Sequence, residues 1–317
     1  MVIAIAFLVG LMALPQAREA RPPDTDQTVA VTKGARLSID NFAGEVIVKA
    51  WDRDQLRVQA RHPSRTKVDV RTGPTVVTVR ASSSGAPGSV DYEITAPAWM
   101  PVKIEGTFNF ITVEGTQGEV TAATVRGDII VRGGTGSVTA KSIEGEVTVE
   151  NARGRVTVSS VNQGIRISGV SGDISAETQN GSIILTKVTA SNVELSTING
   201  QIVYDGAVAD RGRYRFTTHN GNITATIPEN SNVAFMVRSY NGNFSSQHQV
   251  KGPPADEIRR GRRLTYTLGN ASAEMEMETF GGNIRVRRPG AAEPTRERDK
   301  DKRDKDDKHP HGGANLK

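Results

Sequence analysis

Carboxylates that directly follow regularly spaced glycines are the residues of this chain best placed for acid–base chemistry. There are four of them: Glu119, Asp128, Glu146 and Asp173. Two carboxyl groups about 5–10 Å apart can hydrolyse a glycosidic bond, and the 18-residue separation of Asp128 and Glu146 would place them on adjacent turns of a repeat. However, Ser137, Arg155 and Ser182 hold equivalent positions, which is typical of a solvated turn. We therefore predict no catalytic residue.

Motifs for metals, nucleophiles and cofactors are incomplete in this sequence. Residues 133–137 begin like a calcium-binding nonapeptide, but Val138 stands where that motif needs aspartate. The absence of cysteine excludes thiolate sites and disulfides. Outside the last 27 residues the histidines are His62, His219 and His248, and no serine lies in a G-x-S-x-G motif. We predict no metal site and no cofactor.

Arginines that follow the turn-forming sequence Gly-Pro-Pro at 252–254 are the main candidates for ligand contact. They are Arg259, Arg260, Arg262 and Arg263. Guanidinium groups on a loop bind carboxylates, phosphates or lipid head groups, so we predict contact with an anionic ligand there. The chain as a whole has 40 basic and 35 acidic residues and only 5% aromatics. Because the charges are interspersed and few aromatics accompany them, nucleic acid is not a predicted partner.

Periodic glycines are the strongest feature of the sequence. Glycines at 118, 127, 136, 145 and 154 are nine residues apart, and alternating apolar residues follow each of them. A longer phrase, Ser/Thr-x-Asn-Gly-x-apolar, then recurs every 19 to 21 residues and once more after 40. Its predicted structural turns are Asn180-Gly181, Asn199-Gly200, Asn220-Gly221 and Asn241-Gly242. We predict positive φ at these glycines and a degenerate copy of the phrase near Gly261.

Alternation of apolar and polar residues predicts strands with one buried face. A nine-residue unit buries little by itself, so stacked coils must supply the core. The sequence therefore predicts an all-β protein, a parallel β-solenoid of about ten coils of 18–21 residues with an N-terminal β cap. The alternative is an antiparallel β-sandwich or meander, because Asn-Gly between apolar alternations is also typical of hairpins.

Composition divides the chain into four segments. Residues 1–20 contain a run of thirteen apolar residues, too short for a typical membrane span, which predicts a signal peptide or N-terminal anchor. Residues 28–100 are rich in strands but aperiodic and are predicted to form an entry or cap module. Residues 101–290 form the predicted solenoid. Residues 291–317 are highly charged with little apolar content, which predicts a disordered tail.

Two segments carry a resemblance to a known family. They are LSIDNFAGEVIVKAWD at 37–52 and ITAPAWMPVKI at 94–104. With the repeats that follow, they resemble the DUF4097-type bacterial β-strand-repeat proteins, labelled "putative adhesin", over about residues 30–288. One departure is Asn109-Phe110, where such proteins commonly have Asn-Gly. The resemblance implies an extracytoplasmic solenoid-like protein with no established catalytic residues.

These observations lead to one functional hypothesis and two alternatives. We expect an exported, non-enzymatic β-solenoid that acts as a scaffold or adhesion-type binding module of the bacterial cell envelope, in the periplasm or at the cell surface. The expected partner is an envelope protein, a glycan or an anionic lipid surface. The alternatives are a carbohydrate-active β-helix enzyme, such as a polysaccharide lyase or hydrolase, and a periplasmic sensor or partner subunit.

Overall fold

The computed structural model describes residues 22–254 and 261–290. The predicted signal peptide or anchor and the predicted disordered tail lie outside the described residues. Within them, every regular element is a β-strand, and the 22 strands form one continuously hydrogen-bonded sheet. No helix in this part of the chain is long and apolar enough to cross a membrane. The predicted all-β class is confirmed.

The strands vary from three to nineteen residues, and the longest turn a corner of the coil without interruption. Their bounds are β1 (Thr25–Ala30), β2 (Arg36–Trp51), β3 (Gln55–Arg61), β4 (Thr66–Thr72), β5 (Val76–Ser83), β6 (Asp91–Pro97), β7 (Val102–Glu114), β8 (Val120–Arg126), β9 (Ile129–Arg132), β10 (Thr135–Glu144), β11 (Val147–Glu150), β12 (Arg153–Ser159), β13 (Ile165–Ser168), β14 (Ile174–Asn180), β15 (Ile183–Asn199), β16 (Ile202–Asn220), β17 (Ile223–Thr226), β18 (Val233–Ser239), β19 (Phe244–Ser246), β20 (Arg263–Leu268), β21 (Ala273–Thr279) and β22 (Ile284–Arg287).

Each coil contributes one strand to each of two parallel ladders. In the first ladder Val120 pairs with Val138, Val138 with Val156, and Val156 with Ile174. In the second, the equivalent buried residues are Ile111, Ile129, Val147, Ile165, Ile183, Ile202 and Ile223. Their side chains face the interior and are fully buried, as β-branched residues on a packed pleated surface favour. The repeats are therefore a parallel solenoid-like stack, and the antiparallel alternative is wrong for them.

The parallel ladders continue into the segment predicted as an entry module. Strand β2 pairs with β7 on one side and with β5 and β6 on the other, all in parallel. Leu37 thus stacks between Val77 and Val102. Within this N-terminal segment, antiparallel pairs lie beyond the stack, where β4 pairs with β5 and β3 pairs with β6.

At the C-terminal end the order of the coils in space differs from their order in the sequence. Strands β21 and β22 insert between β16–β17 and β18–β19, pairing in parallel with both. The phrase that begins at Thr279 therefore stacks directly on the one that begins at Thr218. The expected degenerate copy near Gly261 is wrong, because the next strand, β20, runs antiparallel to β18. The 40-residue spacing between the phrases that begin at Ser239 and Thr279 arises because the chain forms β20 between them.

One buried hydroxyl in the N-terminal part of the core yields a stability prediction. The Tyr92 side chain is buried, and its Oη has no hydrogen-bond partner among residues 22–254 and 261–290. Burial raises the pKa of Tyr92, so the folded state keeps the phenol neutral when the unfolded chain begins to ionise above about pH 10. Stability that is present below pH 10 is therefore lost as pH rises further.

Tyr92→Phe is expected to be neutral or stabilising by up to about 1–3 kcal/mol at pH 7, because it removes an unsatisfied buried polar group. It should also lessen the decline in stability above pH 10. Denaturant unfolding of both proteins at pH 7 and pH 11 checks this. A clearly destabilised variant at pH 7 would contradict it.

Candidate functional site

The corner between the two strands of a coil is built by the Ser/Thr-x-Asn-Gly phrase. Its first residue is buried and anchors the corner to the preceding coil. The hydroxyls of Thr178, Thr197, Thr218 and Thr279 each donate a 2.9 Å hydrogen bond to a main-chain carbonyl of that coil. These hydroxyls satisfy backbone groups inside the stack and are not available to a ligand.

The glycine of the phrase is required by close approach rather than by positive φ. Gly181, Gly200, Gly221 and Gly242 are absent from the residues with left-handed φ. A Cβ at any of them would lie well inside 3.0 Å of the backbone of the neighbouring coil. The prediction of positive φ is therefore wrong at these turns. Among the nine-residue glycines φ is positive at three, including Gly154 at 104°, and it is not positive at Gly118 and Gly145.

The asparagine of the phrase forms a ladder along the outside of the same corner. The Nδ2 of Asn180, Asn199 and Asn220 donates to the Oδ1 of the asparagine one coil before, at 3.3, 2.9 and 2.9 Å. The first acceptor in this series is Asn162. In the next coil Gly281 occupies the equivalent position. The predicted structural turns at Asn180, Asn199 and Asn220 thus consist of a buried hydroxyl, a stacked glycine and a hydrogen-bonded amide.

The remaining position of the phrase points outward and forms a surface that we call the corner stripe. From the N-terminal end of the rod its residues are Phe42, Thr107, Val125, Ile143, Val161, Gln179, Ile198, His219, Phe280 and Tyr240. Ten positions at about 4.8 Å per strand make it about 43 Å long. Of the seven large hydrophobic residues exposed in the described chain, five belong to the stripe, and Phe108 and Phe110 lie beside it.

Aromatic rings concentrate at the two ends of the corner stripe. Phe42 and Phe108 meet edge to face at 5.6 Å, and the guanidinium of Arg126 lies over the Phe108 ring. At the other end His219 and Phe280 are stacked at 4.8 Å with 7° between their planes, and Tyr240 follows at 5.1 Å from Phe280. Because these three rings come from successive coils, their faces cover one another and their edges reach solvent.

Two of the carboxylates with catalytic potential are adjacent, as their spacing predicted. Asp128 and Glu146 precede the paired residues Ile129 and Val147. However, Asp128 Oδ1 accepts a 2.8 Å hydrogen bond from the Glu146 main-chain N–H, and the Glu146 carboxylate is ion-paired with Arg166. Both carboxylates therefore have structural partners.

The other two carboxylates precede strands of the first ladder and lie at the other corner. Asp173 accepts a 2.9 Å hydrogen bond from Asn192. Three coil steps of the first ladder separate Glu119 from Asp173, because they precede Val120 and Ile174 at the two ends of that series. No cluster of three or more histidine, aspartate or glutamate side chains within residues 22–254 and 261–290 could hold a metal ion.

The arginine cluster is only partly described. Arg259 and Arg260 lie outside the described residues. Arg263 forms a 2.7 Å ion pair with Glu276, which also pairs with Arg215 at 3.1 Å. Arg262, on the approach to β20, is exposed. Contact of this cluster with an anionic ligand stays a prediction, and Arg263 already has an acidic partner.

Comparison with known proteins fits the sequence resemblance. No curated protein matches the chain. The crystal structure of a putative cell adhesion protein from Clostridium sporogenes ATCC 15579 aligns with 84% of this chain and 100% of that chain, at 9% identity and a TM-score of 0.27. The model of the family described as Toastrack DUF4097 matches residues 35–287. Since this match covers most of the sequence, the chain belongs to the Toastrack DUF4097 family.

Proposed function

We propose that this protein is a non-catalytic binding and scaffold module of the bacterial cell envelope, exported by its N-terminal segment, and that it binds an envelope protein along the corner stripe. The observation that carries the proposal is the concentration of exposed apolar side chains in one line. Phe42, Val125, Ile143, Ile198 and Phe280 are each 42–48% exposed. Contiguous apolar surface of this kind is typical of protein interaction sites.

The chemistry of the stripe favours a protein over a glycan or a lipid surface. Its centre is aliphatic, with Ile143 and Ile198 exposed, and aliphatic side chains contribute burial but no hydrogen bonds to sugar hydroxyls. The ring faces that a sugar would cover are occupied in the His219–Phe280 stack. Anionic lipid head groups need unpaired basic residues, whereas Arg126, beside the stripe, is paired with Glu144 at 2.6 Å.

Hydrolysis of a glycosidic bond would need two carboxylates that face each other, at least one of them without a structural partner. The pair at Asp128 and Glu146 instead serves the ladder and an ion pair, which supports the non-catalytic proposal over the alternative of a carbohydrate-active enzyme. A partner subunit of an envelope complex would present a surface like the corner stripe, so that alternative is a special case of the proposal.

The test compares two triple variants in binding to isolated bacterial envelopes. Ile143→Ser, Ile198→Ser and Phe280→Ser remove apolar side chains from the stripe. Ile130→Ser, Ile184→Ser and Val203→Ser form the matched control, since these residues are half-buried on the outer face of the second ladder. Each exposed side chain buried at an interface contributes on the order of 1 kcal/mol, so the stripe variant should bind at least about tenfold more weakly, and the control should bind like the original.

Treatment of the envelopes identifies the class of partner. Protease digestion should abolish binding, whereas digestion of glycans or extraction of lipids should leave it intact. Export is checked by cell fractionation of the full chain. Equal binding by the stripe variant, or binding that survives protease, would overturn the proposal, and accumulation of the chain in the cytoplasm would overturn its envelope location.

A further inference from the structure

The chain contains four Asn-Gly pairs, and all of them belong to the repeated phrase: Asn180-Gly181, Asn199-Gly200, Asn220-Gly221 and Asn241-Gly242. This dipeptide is prone to spontaneous deamidation, because no side chain on glycine obstructs the approach of its main-chain nitrogen to the asparagine side chain. All four asparagines are exposed. Local sequence and exposure therefore do not distinguish them, and any difference in reactivity must come from their hydrogen bonds.

The side-chain amides of three of these asparagines are restrained by the ladder along the corner. Asn180, Asn199 and Asn220 each donate from Nδ2 to the asparagine one coil before. The reaction requires the side-chain carbonyl carbon, Cγ, to turn toward the main-chain nitrogen of the following glycine. The ladder bond must break before the amide can make that turn, so the ladder protects these three residues.

The main-chain nitrogens that would attack differ as well. The N–H groups of Gly181 and Gly200 donate hydrogen bonds of 3.1 and 3.0 Å to the main-chain oxygen of the asparagine one coil later. Within residues 22–254 and 261–290, the N–H groups of Gly221 and Gly242 have no such partner. Attack requires loss of this proton, and a hydrogen bond to a carbonyl oxygen opposes that loss.

Asn241 lacks both restraints because of the order in which the coils stack. In sequence order its neighbour in the ladder would be Asn220, but the inserted coil places Gly281 between them. Gly281 has no amide, and the Asn241 side chain forms no hydrogen bond with the described residues. Strand β19, which follows Gly242, pairs only with β22 among the described strands, so no later coil accepts from the Gly242 nitrogen.

We propose that Asn241 is a site of spontaneous deamidation in the folded chain, whereas Asn180 and Asn199 are protected and Asn220 is intermediate. After hydroxide removes its proton, the Gly242 nitrogen forms a bond to Asn241 Cγ. The Cγ–Nδ2 bond then breaks, and the nitrogen leaves as ammonia after taking a proton from water. Water opens the resulting succinimide at either carbonyl and gives aspartate or isoaspartate.

This inference is independent of the proposed function, because the reaction needs only water and occurs in the purified chain without a partner. Its product places a new carboxylate directly after Tyr240, the last residue of the corner stripe. Folded molecules would therefore acquire a negative charge at one defined end of the rod as they age.

The experiment follows all four asparagines in one sample of the full chain. The folded protein is incubated at neutral and at mildly alkaline pH, and mass spectrometry quantifies the tryptic peptides that each contain one Asn-Gly pair, 167–187, 188–211, 216–238 and 239–251. Asn241 should convert at least about tenfold faster than Asn199, as expected from the loss of hydrogen bonds. Conversion should accelerate at the higher pH. In urea the four rates should become similar.

Two substitutions at the break in the ladder supply a matched pair. A Cβ at Gly281 would come no closer than 3.3 Å to its neighbours, at Asn220 Oδ1, so the position accepts a side chain. Gly281→Asn should extend the ladder to Asn241 and slow its conversion at least about threefold, by one added hydrogen bond. Gly281→Ala adds no amide and should leave the rate unchanged.

Three results would overturn the proposal. The first is equal conversion of Asn241 and Asn199 in the folded chain. The second is the same ranking in urea, which would assign the difference to local sequence. The third is an equal Asn241 rate in folded Gly281→Asn and Gly281→Ala. Thermal melts establish that both variants are folded, and if either is not, the comparison within the original chain decides.

Discussion

Gly200→Ala is expected to destabilise the protein by about 4 kcal/mol or more, within the range reserved for severe defects. The added Cβ would lie against the carbonyl group of Gly181 and the main-chain nitrogen of Ser182. These backbone atoms cannot shift freely, because the strand that follows them is hydrogen-bonded to the next coil, where Ile183 pairs with Ile202. Relief of the clash would require separation of the two coils and loss of their hydrogen bonds.

Chemical denaturation measures this effect, with Gly34→Ala as the control. Gly34 has positive φ, of 93°, but a Cβ there would meet nothing within 4 Å. Its replacement should cost only the left-handed conformation, about 1–2 kcal/mol. A similar small cost for Gly200→Ala would show that the coils adjust to a methyl group, and would contradict close approach as the reason for glycine in the phrase.

Deletion of residues 271–317 is expected to unfold β18 and β19 while the centre of the rod remains folded. The deletion removes β21 and β22, which lie between these strands and β16–β17. Strand β19 would lose its parallel partner, and β18 would retain only the antiparallel β20. A two-stranded ribbon is marginal by itself, so amide protection over residues 233–246 should disappear.

Native-state hydrogen exchange of the truncated chain checks this result. Protection of β11–β13, several coils away, should persist because each coil contacts only its neighbours. Deletion of residues 291–317, which leaves β22 intact, is the control and should change neither region. Retained protection over 233–246 would mean that β18 and β19 stack directly on β16 and β17 without the inserted strands.

The sequence patterns were a better guide to which residues face the core than to the order in which the coils stack. Alternation at positions such as Val147 and Val149 requires a strand with one buried face, and both residues are buried. Coil order is a different problem, because the phrases beginning at Ser239 and Thr279 share the pattern Ser/Thr-aromatic-x-Gly-Asn-apolar and would fit either position. Which of the two phrases stacks on β16 and β17 depends on contacts between distant segments, such as the antiparallel pairing of β18 with β20.

The candidate sites were harder to predict for related reasons. His219, Ile198 and Tyr240 share one slot of the phrase, and such variety at one position predicts a structural turn and no shared chemistry. The useful signal was geometric, since the residue after a buried hydroxyl such as Thr197 must point outward in a strand.

The inserted coil also determines how the protein would respond to a mechanical load. A pull on the chain beyond Arg287 acts on β22, which is hydrogen-bonded on one side to β17 and on the other to β19. Extraction of that strand must shear two ladders at once, whereas an outermost coil could be peeled from one neighbour bond by bond. Forced unfolding is governed by such barriers. A molecule under tension through its C-terminal end would therefore resist rupture longer than a solenoid whose last coil is also its outermost.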